Sequence, residues 1–230
     1  MSSIKIQVIF PLIGIKMNDK YYQIVKHYEE CFNKYGVCAK GVDWPNESDL
    51  MKRYSVMIEI IEKFKNKRKL TLLDLGCGFG LFYKYLNEKN YLKFINYKGI
   101  DISDKMINEA RKLFPNVNFQ KKDILKEKLP ENYVDIVVMN GVLTEKLSLT
   151  EKEMKNYAKK LIKEAFNISK IGVAFNVMTK HVDWERNDLF YWGFDDLAEF
   201  LCKECSRNFV FRMDYGLYEF TTYIYKNCNY

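Results

Sequence analysis

Three glycines alternate at Gly76, Gly78 and Gly80, immediately after the apolar run Leu72-Leu73-Asp74-Leu75. Glycine has no Cβ, so it tolerates positive φ and lets a ligand come against bare backbone N–H groups. Set between a strand and a helix, such a turn forms the mouth of a Rossmann-like sheet. Leu81 stands where the dinucleotide fingerprint would have its last glycine, which tilts the reading away from a nicotinamide cofactor. Asp101 lies 21 residues beyond Gly80, about the interval at which a carboxylate accepts both hydroxyls of a ribose. Ile102 beside it and Met106 on the following helix extend the same wall. Asp123 with Ile124 suits an adenine edge, the carboxylate accepting from the exocyclic amine and the apolar neighbour covering the ring. Asn140 and Gly141 end another apolar strand, where a side chain or carbonyl can hold a ligand amine. Asp74 and Cys77 complete this first set.

A second set points to an acceptor. His181 follows the fifth expected strand on the loop 179–192, and an imidazole that titrates near neutral pH can serve there as a base or acceptor ligand. Trp44, Asp183, Trp184 and Tyr191 put aromatic faces beside carboxylates, which suits a sugar, although the same residues also pack loops. Arg53 offers a planar fork to a ligand carboxylate or another anion, with a surface salt bridge as the plain alternative. His27, inside a helix, reads as structural. Cys202 and Cys205 lack the further ligands that a zinc site requires, so no metal is expected.

The elements that position these residues follow from periodicity. Tyr22, Val25, Tyr28 and Phe32 recur at helical spacing up to a stop at Gly36, and Leu50, Tyr54, Met57, Ile58 and Ile61 mark a second helix over 48–65. Residues 1–69 therefore read as an N-terminal helical lid or extension, with the catalytic domain over 70–230. Strand patterns fall at 71–75, 97–102, 117–121, 134–139, 172–177, 209–214 and 218–226, with helices between most of them. This predicts an α/β fold: a Rossmann-like, seven-stranded, mainly parallel sheet. Ser103 and the Thr150-Glu151-Lys152-Glu153 box cap two of the helices. Gly216-Leu217 predicts a tight type II′ turn that leaves the last two strands as an antiparallel hairpin.

With 230 residues, 48% of them hydrophobic and 29% charged, the chain is long enough to bury a core without disulfides. Its net charge of +7 is scattered, whereas polynucleotide binders concentrate theirs, so nucleic acid is an unfavoured partner and a small anionic substrate a favoured one. The six cysteines have no framework spacing. The apolar stretch 6–15 is too short to span a bilayer and has no basic start, so a packed arm and a cytoplasmic location are expected. Oligomeric state is not legible.

LLDLGCGFG at 72–80, GIDIS at 99–103, QKKDIL at 120–125 and VDIVVMNGV at 134–142 together resemble class I S-adenosylmethionine-dependent methyltransferases, over about residues 70–226. The resemblance implies that Asp101 binds the ribose, Gly76 to Gly80 pass under the methionine moiety, and Asp123 with Ile124 contact adenine. The sulfonium supplies an already activated methyl group, which leaves the protein to align the acceptor and exclude water. GVDW at 41–44, FNVMTKHVDW at 175–184 and DYGLYEFTTYIY at 214–225 are similar to methyltransferases of bacterial capsule and lipopolysaccharide synthesis. That similarity implies O-methylation of a sugar, phosphorylated or nucleotide-linked precursor. Two alternatives stand beside it. Methyltransferases of base amines share an Asp/Asn-Pro-Pro-aromatic tetrad where this chain reads Asn140-Gly141-Val142-Leu143, and an NAD(P)-dependent reductase would use a related sheet.

Overall fold

The computed structural model describes residues 20–226. Eight strands are present: β1 (Leu70–Leu75), β2 (Ile95–Asp101), β3 (Asn118–Lys121), β4 (Val134–Met139), β5 (Ser169–Thr179), β6 (Tyr191–Trp192), β7 (Phe209–Arg212) and β8 (Glu219–Tyr225). They form one sheet in the order β3-β2-β1-β4-β5-β8-β7, with the two-residue β6 alongside β5. The first five strands run parallel, whereas β8 is antiparallel to both β5 and β7. Strand order reverses between β1 and β4. In an open α/β sheet that is where the ligand crevice opens, outside the carboxyl ends of the strands.

Helices α1 (Tyr22–Tyr35), α2 (Glu47–Ile58), α3 (Leu81–Glu88), α4 (Asp104–Leu113), α5 (Glu151–Ile168) and α6 (Phe194–Glu204) surround the sheet. The alternation of side chains along the strands sorts the core into two layers. Leu73, Val137 and Phe175 face α5 and α6, meeting Ala158, Ile162 and Leu201. Leu72, Ile136 and Ala174 point the other way, onto Met57 and Ile58 of α2 and Leu86 of α3. The second expected helix is thus built into the core beneath the sheet, and its α-helical part stops at Ile58, where a 3-10 turn takes over. The stretch 6–15 lies outside the described residues.

Local signals behave as their chemistry requires. Ser103 accepts from the Met106 N–H at the start of α4, and Thr150 and Glu153 form both halves of a capping box on α5. Gly36 ends α1 at φ 69. One turn differs from expectation. Arg212 pairs with Thr221, so the β7–β8 connection is a longer loop with Gly216 at φ 69 rather than a two-residue type II′ turn. The structure also adds β6 at the end of the loop that sequence patterns leave irregular.

Candidate functional site

Four strand ends meet at a cleft. After β1 the chain turns through Gly76, Gly78 and Gly80 at φ 80, 54 and 88, values that a Cβ would strain. Gly76 and Cys77 donate their N–H groups to Ile100 O, which hangs the turn on β2. A Cβ on Gly76 would stand 2.4 Å from Val142 Cγ2, so bare backbone is required there. Gly76, Cys77 and Gly78 line the cleft, while Gly80 lies behind it, packed against Phe114 and Phe119. Asp74 also lies behind the cleft wall, where it accepts from Tyr97 Oη at 2.6 Å, and burial pushes its carboxyl up to about 7.

Asp101, Ile102 and Met106 form the next stretch of wall. Asp101 Oδ2 accepts from Gly78 N at 2.9 Å and Oδ1 from Ser103 N at 2.9 Å, so one carboxylate ties the glycine turn to the start of α4. Burial raises its pKa, and these backbone donors oppose the rise. After β3, Asp123 and Ile124 line the cleft; Asp123 Oδ2 accepts from Tyr21 Oη at 2.5 Å and Tyr22 Oη at 2.9 Å, and Oδ1 from Leu125 N. After β4 come Asn140 and Gly141. Asn140 Oδ1 is buried at the cleft with no hydrogen-bond partner among the described residues, an acceptor available to a ligand amine.

The expected N-terminal helical segment closes this space, through contacts that sequence alone does not show. Helix α1 crosses over the strand ends and is tied to three of them: Tyr21 and Tyr22 reach Asp123, Glu29 accepts from Ser103 Oγ, and Tyr28 Oη donates to Gly141 O at 3.1 Å. Trp44 supplies another wall, so close to Gly141 that a Cβ there would stand 2.8 Å from its ring. Behind Trp44 lies a buried polar network. The Arg53 guanidinium stacks on the Trp44 ring at 3.8 Å and donates to Glu219 Oε2 at 2.8 Å. Asn176 Nδ2 donates to Glu219 Oε1, and Asn176 Oδ1 accepts from Gly141 N at 2.8 Å. Arg53 does not line the cleft: its Nε holds Glu219 beneath the wall, and its Nη1 is buried without a hydrogen-bond partner among the described residues.

The expected acceptor loop is placed elsewhere. His181 is exposed and stacks on Phe194, Asp183 accepts from Tyr218 Oη, Trp184 packs edge-on against Tyr218, and Tyr191 Oη accepts from Arg186 N. None of these four lines the cleft among the described residues. The end of the loop pairs with the segment after β4, where Leu189 bridges Glu145 and Phe190 N donates to Thr144 O, and β6 then pairs with the end of β5.

Residues 66–207 match a family described as a methyltransferase domain. The chain belongs to that family. It is 31% identical over 160 residues to "Putative methyltransferase Rv1506c" of Mycobacterium tuberculosis, an alignment spanning 68% of this chain and 93% of that one. A Clostridium botulinum tRNA (guanine-N(7)-)-methyltransferase is 34% identical across 34% of this chain and 41% of its own length. Among solved structures, the magnesium protoporphyrin IX methyltransferase of Synechocystis PCC 6803, with bound S-adenosylhomocysteine, superposes with a TM-score of 0.62 at 15% identity, covering 90% of this chain and all of that one. At that identity the likeness concerns the fold.

The protein is an S-adenosylmethionine-dependent methyltransferase, and the cleft fits the donor. Bare backbone at Gly76 and Gly78, the Asp101 carboxylate and the apolar Ile124 side chain all border this cleft. When bound, the sulfonium supplies the activated methyl group. No helix among the described residues is long and apolar enough to cross a membrane.

Proposed function

We propose that this methyltransferase acts on a small hydroxyl-bearing acceptor, a sugar phosphate or nucleotide-linked sugar of bacterial surface-glycan synthesis. The observation that carries the reading is the roof. With α1 bonded to Asp123, Ser103 and Gly141, the acceptor end of the cleft is walled by Tyr28 and Trp44, which suits a small molecule and obstructs a duplex or folded RNA. Trp44 presents an aromatic face of the kind that packs on sugar rings. The three segments that carry the glycan resemblance meet behind this wall: Trp44 from the first, Asn176 from the second, and Glu219 from the third, joined through Arg53 and Gly141.

The test is S-adenosylhomocysteine release in the presence of nucleotide sugars, sugar phosphates, transfer RNA and duplex DNA. Turnover on a sugar-bearing small molecule, with none on nucleic acid, is expected. Methylation of RNA or DNA alone would overturn the proposal.

A further inference from the structure

Methyl transfer leaves four side chains without a task, and they gather where α1 meets the loop after β4. His27 and Cys31 stand four residues apart on one face of α1. Asp43 follows the 3-10 turn Ala39–Val42 with its backbone in the left-handed region at φ 58, a conformation uncommon outside glycine. His27 Nε2 is 2.8 Å from Asp43 Oδ2 and 3.7 Å from Cys31 Sγ, and the three potential ligand atoms lie within 4.8 Å of one another. Glu145, only 6% exposed, lies close enough that the charges of Asp43 and His27 both act on its carboxyl. Its Oε2 is buried without a hydrogen-bond partner among the described residues. Asp188 and Arg186, the other charged groups acting on Glu145, are paired with each other.

A histidine–aspartate hydrogen bond accounts for the contact between His27 and Asp43. It does not account for the nearby Glu145 carboxylate, buried with one oxygen unsatisfied, which ordinarily costs about 1–3 kcal/mol. Nor does it explain a thiol completing the cluster. A carboxylate and a sulfur around one imidazole gather lone pairs that a divalent cation would take up.

We propose that His27, Cys31 and Asp43 bind one divalent cation of the zinc type, with the buried Glu145 carboxylate near enough for its charge to favour the ion. Nitrogen, sulfur and carboxylate oxygen together are the donor mixture of tetrahedral zinc, whereas magnesium and calcium favour oxygen alone. Bonds of roughly 2.0–2.3 Å set ligand separations of about 3.3–3.8 Å. The sulfur–nitrogen pair has that spacing, and the His27–Asp43 pair reaches it by opening slightly. Tyr28 and Trp44, the immediate neighbours of His27 and Asp43, line the cleft. The ion would therefore clamp α1 to the Asp43 turn and fix the wall against which the acceptor rests. This assignment is independent of which acceptor is methylated.

The experiment uses the full chain, stripped with a chelator and titrated with Co²⁺ under absorption spectroscopy, then with Zn²⁺ as competitor. One equivalent of Co²⁺ is expected, with a near-ultraviolet thiolate-to-cobalt band that Zn²⁺ abolishes. Cys31→Ser should remove the band, and Glu145→Gln, a conservative change, should weaken cobalt binding tenfold or more. S-adenosylhomocysteine affinity in the same preparations reports the donor site and the integrity of the fold separately. A band that persists in Cys31→Ser, or the absence of saturable binding at tenth-millimolar Co²⁺ and Zn²⁺ in protein that still binds S-adenosylhomocysteine, would overturn the assignment.

Discussion

Replacing Asp101 by alanine removes two interactions before any donor arrives. Its Oδ2 holds Gly78 N and its Oδ1 holds Ser103 N, each at 2.9 Å, so the carboxylate sets the spacing between the glycine turn and the start of α4. Asp101 also lines the cleft, where a ribose would offer two hydroxyl donors. Hydrogen bonds to a charged group contribute about 1.5–3 kcal/mol each, so losing both ribose bonds corresponds to roughly 3–6 kcal/mol. At about 1.4 kcal/mol per decade, the S-adenosylhomocysteine dissociation constant should rise at least 100-fold in Asp101→Ala. Asp101→Asn keeps one acceptor oxygen but turns an amide N–H₂ toward a backbone donor, and should fall between the two. Isothermal titration calorimetry reads the affinities, and thermal unfolding without ligand separates the loss of the backbone bonds. An alanine variant that binds within threefold of the parent chain would refute the ribose assignment.

Arg53→Ala leaves Glu219, fully buried, without its cation; breaking a buried pair this way costs about 3–5 kcal/mol, so the midpoint of urea unfolding should drop sharply. Unchanged stability with weakened donor binding would return Arg53 to a ligand-contact role. His181→Ala should leave turnover within twofold, because the ring packs on Phe194 outside the cleft, and a tenfold loss would contradict that placement. Burial holds the Asp74 carboxyl near 7, above its unfolded value near 4, so the folded state keeps a proton that the unfolded state releases. Stability should therefore fall as pH rises from about 4 through 7, by at most roughly 4 kcal/mol, and Asp74→Asn should flatten that slope in urea melts at pH 5 and pH 8.

The parts of this protein legible in its sequence are those governed by short-range rules. The glycine turn, the Ser103 and Thr150 caps and the strand-end acids Asp101 and Asp123 depend on residues a few positions away, or on the convergence that any parallel sheet imposes on its strand ends. The partners that fix their roles are not local. Arg53 finds Glu219 across 166 residues, and Tyr21 reaches Asp123 across 102. Composition around either partner gives no hint of these pairings. The loop after β5 shows the same dependence: Tyr191 and Trp192 read as loop aromatics, yet they pair with the end of β5, and His181, Asp183 and Trp184 find their partners in Phe194 and Tyr218. Glu145 carried no motif at all, since only the fold brings it beside α1.

The account rests most heavily on how the cleft holds its donor, and a crystal structure with S-adenosylhomocysteine tests that directly. The ribose hydroxyls should lie within hydrogen-bonding distance of Asp101, the purine against Ile124, and the sulfur facing the wall made by Tyr28, Trp44 and Gly141. A ligand found outside this cleft, or seated in it with the ribose remote from Asp101, would contradict the assignment.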